Sequence, residues 1–279
     1  MDFIKTFADI LKAMLYRLLR SRMTLVLILI LLISIMCGIA ALKAIGANTA
    51  LSADMSATSS DITLGLSVLA ADASGVDFAR ACGMLFVRGS FIAMMMAVFC
   101  GVFFASDLRS GTVKNVIIGC TGRTAYMLAA GVCTLMITAF AVLVGVMISL
   151  AALIISGFAV AVSDPAQFVG WLGEVWLSVA AYAVLAVVVA LMSKNMVLAA
   201  VVGFLLGGAA VENLLYSVIG LITGHPSEVR AIFDGYLAVT VSQLGYGNVL
   251  PADVLLPVLV TIAVAIAVGM LVVRRKSLA

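Results

Sequence analysis

The sequence predicts an all-α polytopic membrane protein, because both its composition and the length of its apolar segments fit that class. Apolar residues make up 65% of the 279 residues, charged residues only 10%, and the mean hydropathy is +1.29. Apolar segments long enough to cross about 30 Å of hydrocarbon as helices recur along the chain, whereas the alternating segments of a membrane barrel, about ten residues each, are absent. We therefore expect one transmembrane domain over residues 1–279 with six membrane-spanning helices.

The first segment, residues 1–22, distributes apolar and charged residues with the period of an α-helix. One face carries Phe3, Phe7, Ile10, Leu11, Met14, Leu15 and Leu18. The charged residues, Arg17 among them, fall mostly on the other face. This pattern predicts an amphipathic helix that lies in the membrane interface, in contact with lipids. A cleaved signal peptide is disfavoured, because both its basic region and the apolar run that follows are too long.

The six predicted spans are separated by long polar segments and by short turns. Their bounds are residues 23–42, 85–105, 125–148, 172–192, 197–219 and 254–273, with a first outer loop over 43–84 and an outer segment over 223–253. The apolar run of the third span continues to residue 162, so we expect a tilted helix or a break near Ser156 and Gly157. Trp171 and Trp176 indicate a membrane-interface belt at the start of the fourth span. A tight turn around Lys194 makes the fourth and fifth spans antiparallel neighbours.

The distribution of basic residues predicts the orientation in the membrane. With both termini in the cytoplasm, twelve of the sixteen Lys and Arg residues lie on the cytoplasmic side, in agreement with the positive-inside rule. These residues are Lys5, Lys12, Arg17, Arg20, Arg22, Arg109, Lys114, Arg123, Lys194, Arg274, Arg275 and Lys276. We therefore expect a multi-pass protein of the cell membrane, specifically a bacterial cytoplasmic membrane.

A polar connection, residues 106–124 with the sequence SDLRSGTVKNVIIGCTGRT, separates the second span from the third. Its basic residues have to leave the hydrocarbon, because a Lys or Arg at the bilayer centre costs about 2.5–3.5 kcal/mol on insertion scales. Val113, Val116 and Ile117 nevertheless follow helical spacing, and Gly111 and Gly119 stand where a helix would start and stop. The segment therefore predicts a short amphipathic helix on the cytoplasmic surface.

The patterns that signal catalysis or metal binding are missing. The phosphate-binding loop Gly-x-x-x-x-Gly-Lys-Ser/Thr is absent, so we expect no ATP binding by that route. The single histidine, His225, lies in the outer segment without the neighbours that a hydrolase needs, and the five cysteines form no Cys-x-x-Cys pair. We predict no catalytic residues, no cofactor, no metal site and no nucleic-acid binding for this chain.

Two features of the predicted fifth span leave alternatives open. Glu212, followed by Asn213, either lines a transport path and binds a cation or a proton there, or caps a break in the helix. Gly203 and Gly207, followed by Gly208, form a small-residue face that suits close packing inside the bundle or between two copies of the chain.

The polar connection also resembles a signature of ABC type-2 permeases, the membrane subunits of exporters such as bacitracin-resistance and lantibiotic-immunity systems. The matching residues are Asp107, the run Ser110-Gly111-Thr112 and Arg123. Thr121-Gly122 precedes Arg123 where the family often has a serine, a departure that leaves the basic residue in place. The amphipathic first helix, the six spans and the first outer loop are similar to the topology of this family.

The resemblance implies that the connection is a coupling helix, which docks into a groove on a separate ATPase subunit that binds ATP and Mg²⁺. A second permease copy, or a homologous permease, and two ATPases would complete the exporter. The implied docking residues are Asp107, Arg109, Gly111, Thr112, Val113, Lys114, Val116, Ile117 and Arg123.

We expect this chain to be the permease subunit of an ATP-driven ABC exporter for a peptide, an antibiotic, a lipid or another amphiphile. The main alternative is an ion- or proton-coupled secondary transporter with Glu212 as its ion site. An intramembrane enzyme and a membrane anchor without transport activity are two further alternatives.

Overall fold

The computed structural model describes residues 2–47, 76–110, 120–158, 160–161, 164–208, 210–223 and 237–275. Within these ranges the chain is a bundle of α-helices, and five of the described helical segments are long and apolar enough to cross a membrane. This is the architecture of an all-α polytopic membrane protein, as the composition predicts. Most of the first outer loop and residues 224–236 of the outer segment lie outside the described part.

The helices are numbered in chain order. They are α1, Asp2–Arg20; α2, Arg22–Ala47; α3, Phe78–Cys82; α4, Phe91–Arg109; α5, Cys120–Ile155; α6, Pro165–Ser193; α7, Met196–Gly207; α8, Ala210–Thr223; α9, Leu237–Leu244; and α10, Ala252–Arg275. A π turn over Gly83–Val87 and a 3₁₀ turn over Arg88–Ser90 lead from α3 into α4. Strand β1, Val76–Asp77, pairs in parallel with β2, Val160–Ala161.

Long helices that follow one another along the chain run in opposite directions, and the bundle has two ends. The Asp107 end contains the last turns of α4, α6 and α10 and the first turns of α2, α5 and α7. The Tyr246 end contains the opposite ends of the long helices and the turn after α9. Several basic residues of the described helices lie together at the Asp107 end: Arg17, Arg20, Arg22, Arg109 and Lys194. Helix α6 is the most buried of the apolar helices, and α2 and α10 are among the least buried.

Helix α1 confirms the predicted amphipathic helix, and its apolar stripe faces protein. Ile10, Met14 and Leu18, spaced four residues apart, are buried where α1 packs against α5. Ser21 then separates α1 from α2, and its Oγ accepts a hydrogen bond from the Met23 N–H over 3.1 Å. The position of α1 in the membrane interface stays a prediction.

The regular helices on the two sides of the polar connection have bounds that differ from those of the predicted spans. Gly89 (φ +74°) and Ser90 (φ +57°) adopt the left-handed conformation and interrupt the helix, so α4 begins at Phe91 and not near residue 85. Helix α4 then continues to Arg109, and α5 already begins at Cys120. Both ends of the predicted connection are therefore helical extensions of the neighbouring spans, and residues 111–119 lie outside the described part of the chain.

Helix α5 ends near Ser156 and Gly157, where the sequence left open a break or a tilted continuous helix. It has 36 residues and ends at Ile155, which at about 1.5 Å per residue is longer than the hydrocarbon core of a bilayer is thick. A turn at Ser156 and Gly157 follows, in which Gly157 has a φ of +81°. A residue without a Cβ adopts this conformation at little cost, so the glycine ends the helix.

The predicted fifth span, residues 197–219, is interrupted, and a break in this helix is one of the alternatives that the sequence left open. The structure divides this segment into α7 and α8, and Gly208 follows the last residue of α7. Helix α7 has 12 residues, or about 18 Å, which is too short to cross the hydrocarbon by itself. Adjacent glycines have low helix propensity, which explains why the helix ends at this point.

The small-residue face of α7 packs inside the bundle, which resolves the alternative left open by the sequence. A Cβ added to Gly203 would lie 2.9 Å from the carbonyl oxygen of Ala97, and one added to Gly207 would lie 2.4 Å from the Cα of Met94. Both partners belong to α4, and their numbers fall as the glycine numbers rise, so the helices are antiparallel. The missing side chains let the two backbones approach each other closely.

We predict that Gly207→Ala lowers the stability of the protein by about 1–3 kcal/mol, because the new methyl group would overlap the backbone of α4. The measurement is unfolding of the purified chain in mixed micelles with increasing denaturing detergent. Gly173→Ala is the matched control, since a Cβ at this helical glycine meets no atom within 4 Å. Equal stability of the two variants would contradict the close packing of α4 and α7.

Candidate functional site

An ion pair between Arg17 of α1 and Asp107 of α4 lies at one end of the bundle. Asp107 occupies the last turn but is only 8% exposed, and Arg17 Nη1 donates a hydrogen bond to its Oδ1. Arg17 Nε also donates to the carbonyl oxygen of Ala13 over 3.3 Å. A buried carboxylate is stable only with a compensating charge or hydrogen bonds, so the ion pair ties α1 to the end of α4.

Helix α5 completes this arrangement through Tyr126. This side chain is 1% exposed and lies within electrostatic range of both the Asp107 carboxylate and the Arg17 guanidinium. The backbone at the end of α4 is fixed as well, because Ser110 Oγ donates to the carbonyl oxygen of Asp107 over 2.9 Å. We call the set Arg17, Asp107 and Tyr126 the three-helix junction, since it joins α1, α4 and α5.

The structure separates the implied docking residues into different environments. Asp107 points into the three-helix junction, whereas Arg109, two residues later, is exposed. Arg123 belongs to the first turns of α5, and its side chain is outside the described part. Gly111, Thr112, Val113, Lys114, Val116 and Ile117 also lie outside the described residues.

Helical spacing in the sequence indicates the inward position of Asp107, although a count of charged residues along the segment does not show it. Asp107 follows Phe103 by four residues and Phe104 by three, and both phenylalanines are buried in α4. Arg17 likewise follows Met14 by three residues and lies beside the buried stripe of α1, although the sequence grouped it with the polar face. Helical spacing therefore places both charges towards the interface between the helices.

Glu174 is a buried acidic residue that the sequence reasoning missed. It belongs to α6 and is 6% exposed, and its Oε2 accepts a hydrogen bond from the Leu250 N–H over 2.9 Å. Glu174 is thus an acidic residue within an apolar span in addition to Glu212. Glu212 and Asn213 lie near the start of α8, and their side chains are outside the described part of the structure.

Trp171 also differs from the expectation of a membrane-interface residue. Its side chain is completely buried, and its Nε1 donates to the carbonyl oxygen of Leu244, at the end of α9, over 2.9 Å. Trp176 Nε1 donates to the carbonyl oxygen of Leu135 over 2.9 Å. Both indoles therefore connect α6 to neighbouring segments of the bundle.

An apolar groove lies between α2, α4 and α7 on the outside of the bundle. Its volume is about 500 Å³, and its lining includes Met23 of α2, Met94 and Met95 of α4, and Phe204 of α7. Arg22, at the start of α2, is the basic residue of the lining. Methionine side chains adapt to different apolar shapes, so the groove suits an apolar chain of variable structure.

The fold and these contacts define the class of this chain as an all-α polytopic membrane protein in which α1 is joined to the bundle by an ion pair. Comparison of the sequence with models of known families finds no match, and comparison with curated proteins finds none either. The resemblance to ABC type-2 permeases therefore stays a prediction that rests on residues 106–124 and on the topology.

We predict that Asp107→Asn and Arg17→Gln each destabilise the protein and that their effects are not additive. Each single variant leaves one partner of the pair without its opposite charge, and an interaction energy of about 1–3 kcal/mol is expected from a double-mutant cycle. The cycle is measured by detergent-induced unfolding of the purified chain.

Arg20→Gln is the matched control for this cycle. Arg20 is exposed, and its Nη1 donates to the hydroxyl of Tyr16 one turn earlier in α1, over 2.6 Å. Loss of this contact should have little effect on stability. Additive effects of the Arg17 and Asp107 substitutions would contradict a direct stabilising pair.

Proposed function

We propose that this chain is the permease subunit of an ATP-driven ABC exporter, powered by a separate ATPase subunit that binds ATP and Mg²⁺. One observation carries the proposal most directly. The segment between Arg109 and Cys120 is continuous at both sides with long helices, and the three-helix junction attaches α1 to the same place. A force applied to this segment would therefore reach α4, α5 and α1 together.

The position of the basic residues supports the orientation that this function requires. Arg17, Arg20, Arg22, Arg109 and Lys194 lie at the Asp107 end, where the proposed ATPase would dock. Positive charge is retained on the cytoplasmic side of membrane proteins. We accordingly propose that this end, both termini and the docking segment face the cytoplasm of a bacterial cell.

The apolar groove supports an amphiphile, such as a lipid or an apolar peptide or antibiotic, as the transported substrate. A groove open at the side of the bundle is accessible from the membrane, and about 500 Å³ falls within the usual range of small-molecule sites. Arg22 at the Asp107 end gives the groove one charged position for a polar head group. The path is completed, in this proposal, by a second copy of the chain or a homologous permease.

We predict that Val116→Asp abolishes stable binding of the ATPase but leaves membrane insertion intact, because a carboxylate replaces an apolar residue of the docking helix. The chain is co-expressed with each ABC ATPase of its source organism that is encoded as a separate subunit, and complexes are purified through a tag on the chain. Val249→Asp, at an exposed position near the Tyr246 end, is the matched control. Equal recovery of the ATPase with both variants would count against docking at residues 111–119.

The buried Glu174 carboxylate favours the alternative of an ion- or proton-coupled secondary transporter, because an acidic side chain among apolar helices is a common ion or proton site. Glu212 remains the second acidic candidate for the same role. For an ABC exporter, we predict that transport of a fluorescent amphiphile with an anionic head group into proteoliposomes requires both the ATPase and ATP. Transport by the chain alone, driven by a proton gradient and lost in Glu174→Gln, would identify the secondary transporter instead.

A further inference from the structure

A polar pocket lies at the Tyr246 end of the bundle, in contrast to the apolar groove on its side. Its volume is about 360 Å³, and its polar lining is Asp77, Arg80, Asp164, Gln167, Tyr246 and Asn248. These residues come from three parts of the chain: the β1–α3 region, the start of α6 and the turn after α9. We call it the Arg80 pocket.

One wall of the Arg80 pocket is fixed by close contact between backbones. Gly247 has a φ of +81°, and a Cβ added to it would lie 2.6 Å from the Cα of Arg80. Two residues earlier in the same turn, the carbonyl oxygen of Gly245 would lie 2.7 Å from a Cβ added to Gly83. The turn after α9 therefore fits against α3 and the π turn with no room for side chains at these glycines.

Polar contacts hold the same turn from its other side. Arg88 Nη2 donates to the Tyr246 hydroxyl over 2.8 Å, and the guanidinium carbon lies 4.3 Å from the centre of the ring. Two side chains of α6 bind the two ends of the turn region: the Trp171 indole donates to the Leu244 carbonyl oxygen, and the Glu174 carboxylate accepts from the Leu250 N–H. The pocket is thus preformed, which lowers the entropic cost of binding a ligand.

The lining combines groups of opposite charge in one small volume. Arg80 supplies a guanidinium, whose planar donors pair with a carboxylate through two hydrogen bonds. Asp77 and Asp164 supply carboxylates, which attract an ammonium group. Gln167 and Asn248 add amide donors and acceptors, the groups that recognise a peptide bond.

We infer that the Arg80 pocket binds a small zwitterionic ligand of the amino-acid or dipeptide class. The carboxylate of the ligand pairs with Arg80, and its ammonium group lies towards Asp77 and Asp164. The pocket volume of about 360 Å³ equals that of roughly a dozen water molecules at about 30 Å³ each. This space is large enough for a ligand of this class. The two carboxylates outnumber the guanidinium, so a dipeptide with a lysine side chain binds more tightly than one with a glutamate side chain.

The Arg80 pocket is separate from the proposed docking segment and from the apolar groove. It lies at the end of the bundle opposite Asp107 and shares no lining residue with the groove. Its test requires neither the ATPase nor transport, so its failure would leave the proposed exporter function untouched. The full-length chain is reconstituted in lipid nanodiscs, and binding is measured by isothermal titration calorimetry.

The probes are alanyl-alanine, its N-acetyl derivative and its C-terminal amide. We expect saturable binding of alanyl-alanine, and a loss of affinity of about tenfold or more for each derivative that lacks one charge. Arg80→Gln should weaken alanyl-alanine by a similar factor but should hardly change binding of the amide. Asp164→Asn should weaken alanyl-alanine and hardly change the N-acetyl derivative.

The variants are chosen to preserve the fold. Asn can replace Asp164 as the N-cap of α6, where the carboxylate accepts from the Ala166 N–H over 2.9 Å. Arg80→Lys retains the positive charge and should recover part of the affinity that Arg80→Gln loses. Arg20→Gln, at the opposite end of the bundle, is the control and should leave the affinity for alanyl-alanine unchanged. Absence of saturable binding by the wild-type chain, or equal affinities of the wild-type chain, Arg80→Gln and Asp164→Asn for alanyl-alanine, would overturn the inference.

Discussion

The arrangement of the Asp107 end depends on the ion pair between Arg17 and Asp107. A carboxylate at the end of an apolar helix has to reach water or find a charged partner, because its burial alone is strongly unfavourable. Asp107 is buried, so its partner comes from α1, a helix far away in sequence. This requirement explains why α1, an amphipathic helix, packs against the bundle, where Met14 and Leu18 of the same helix are buried.

The opposite end is held by different means, and the difference matters for what each end can do. Around Tyr246, glycines allow backbones to touch, and the Trp171 and Glu174 side chains bind main-chain groups of the turn after α9. These contacts are distributed over several segments and leave a preformed polar pocket. Among the described residues of the Asp107 end, the Arg17–Asp107 ion pair joins α1 to α4, and Tyr126 of α5 lies beside it. The two proposals follow this difference, with ligand binding assigned to the Tyr246 end and contact with the ATPase to the Asp107 end.

The sequence was sufficient for the fold class and for most helices, because hydropathy over about twenty residues reports directly on membrane spans. It failed where a few residues override that average. Gly89 and Ser90 interrupt one apolar run through their left-handed backbone conformation. In a second apolar run, helix α7 ends and Gly208 follows its last residue. It also failed for Asp107 and Glu174, because the partners of a buried charge come from distant segments whose proximity only the tertiary structure reveals.

Helix α4 connects the two ends, and its boundaries determine how they communicate. Its last turn contains Asp107, and its first two turns pack closely against the backbone of α7 at Met94 and Ala97. Its first residue follows the left-handed Gly89 and Ser90, where the helical hydrogen-bond pattern is interrupted. If the exporter function holds, a tilt of α4 driven from the Asp107 end would change dihedral angles at this break before it disturbed Arg80, which lies on its far side. The break would then separate the moving path from the ligand pocket.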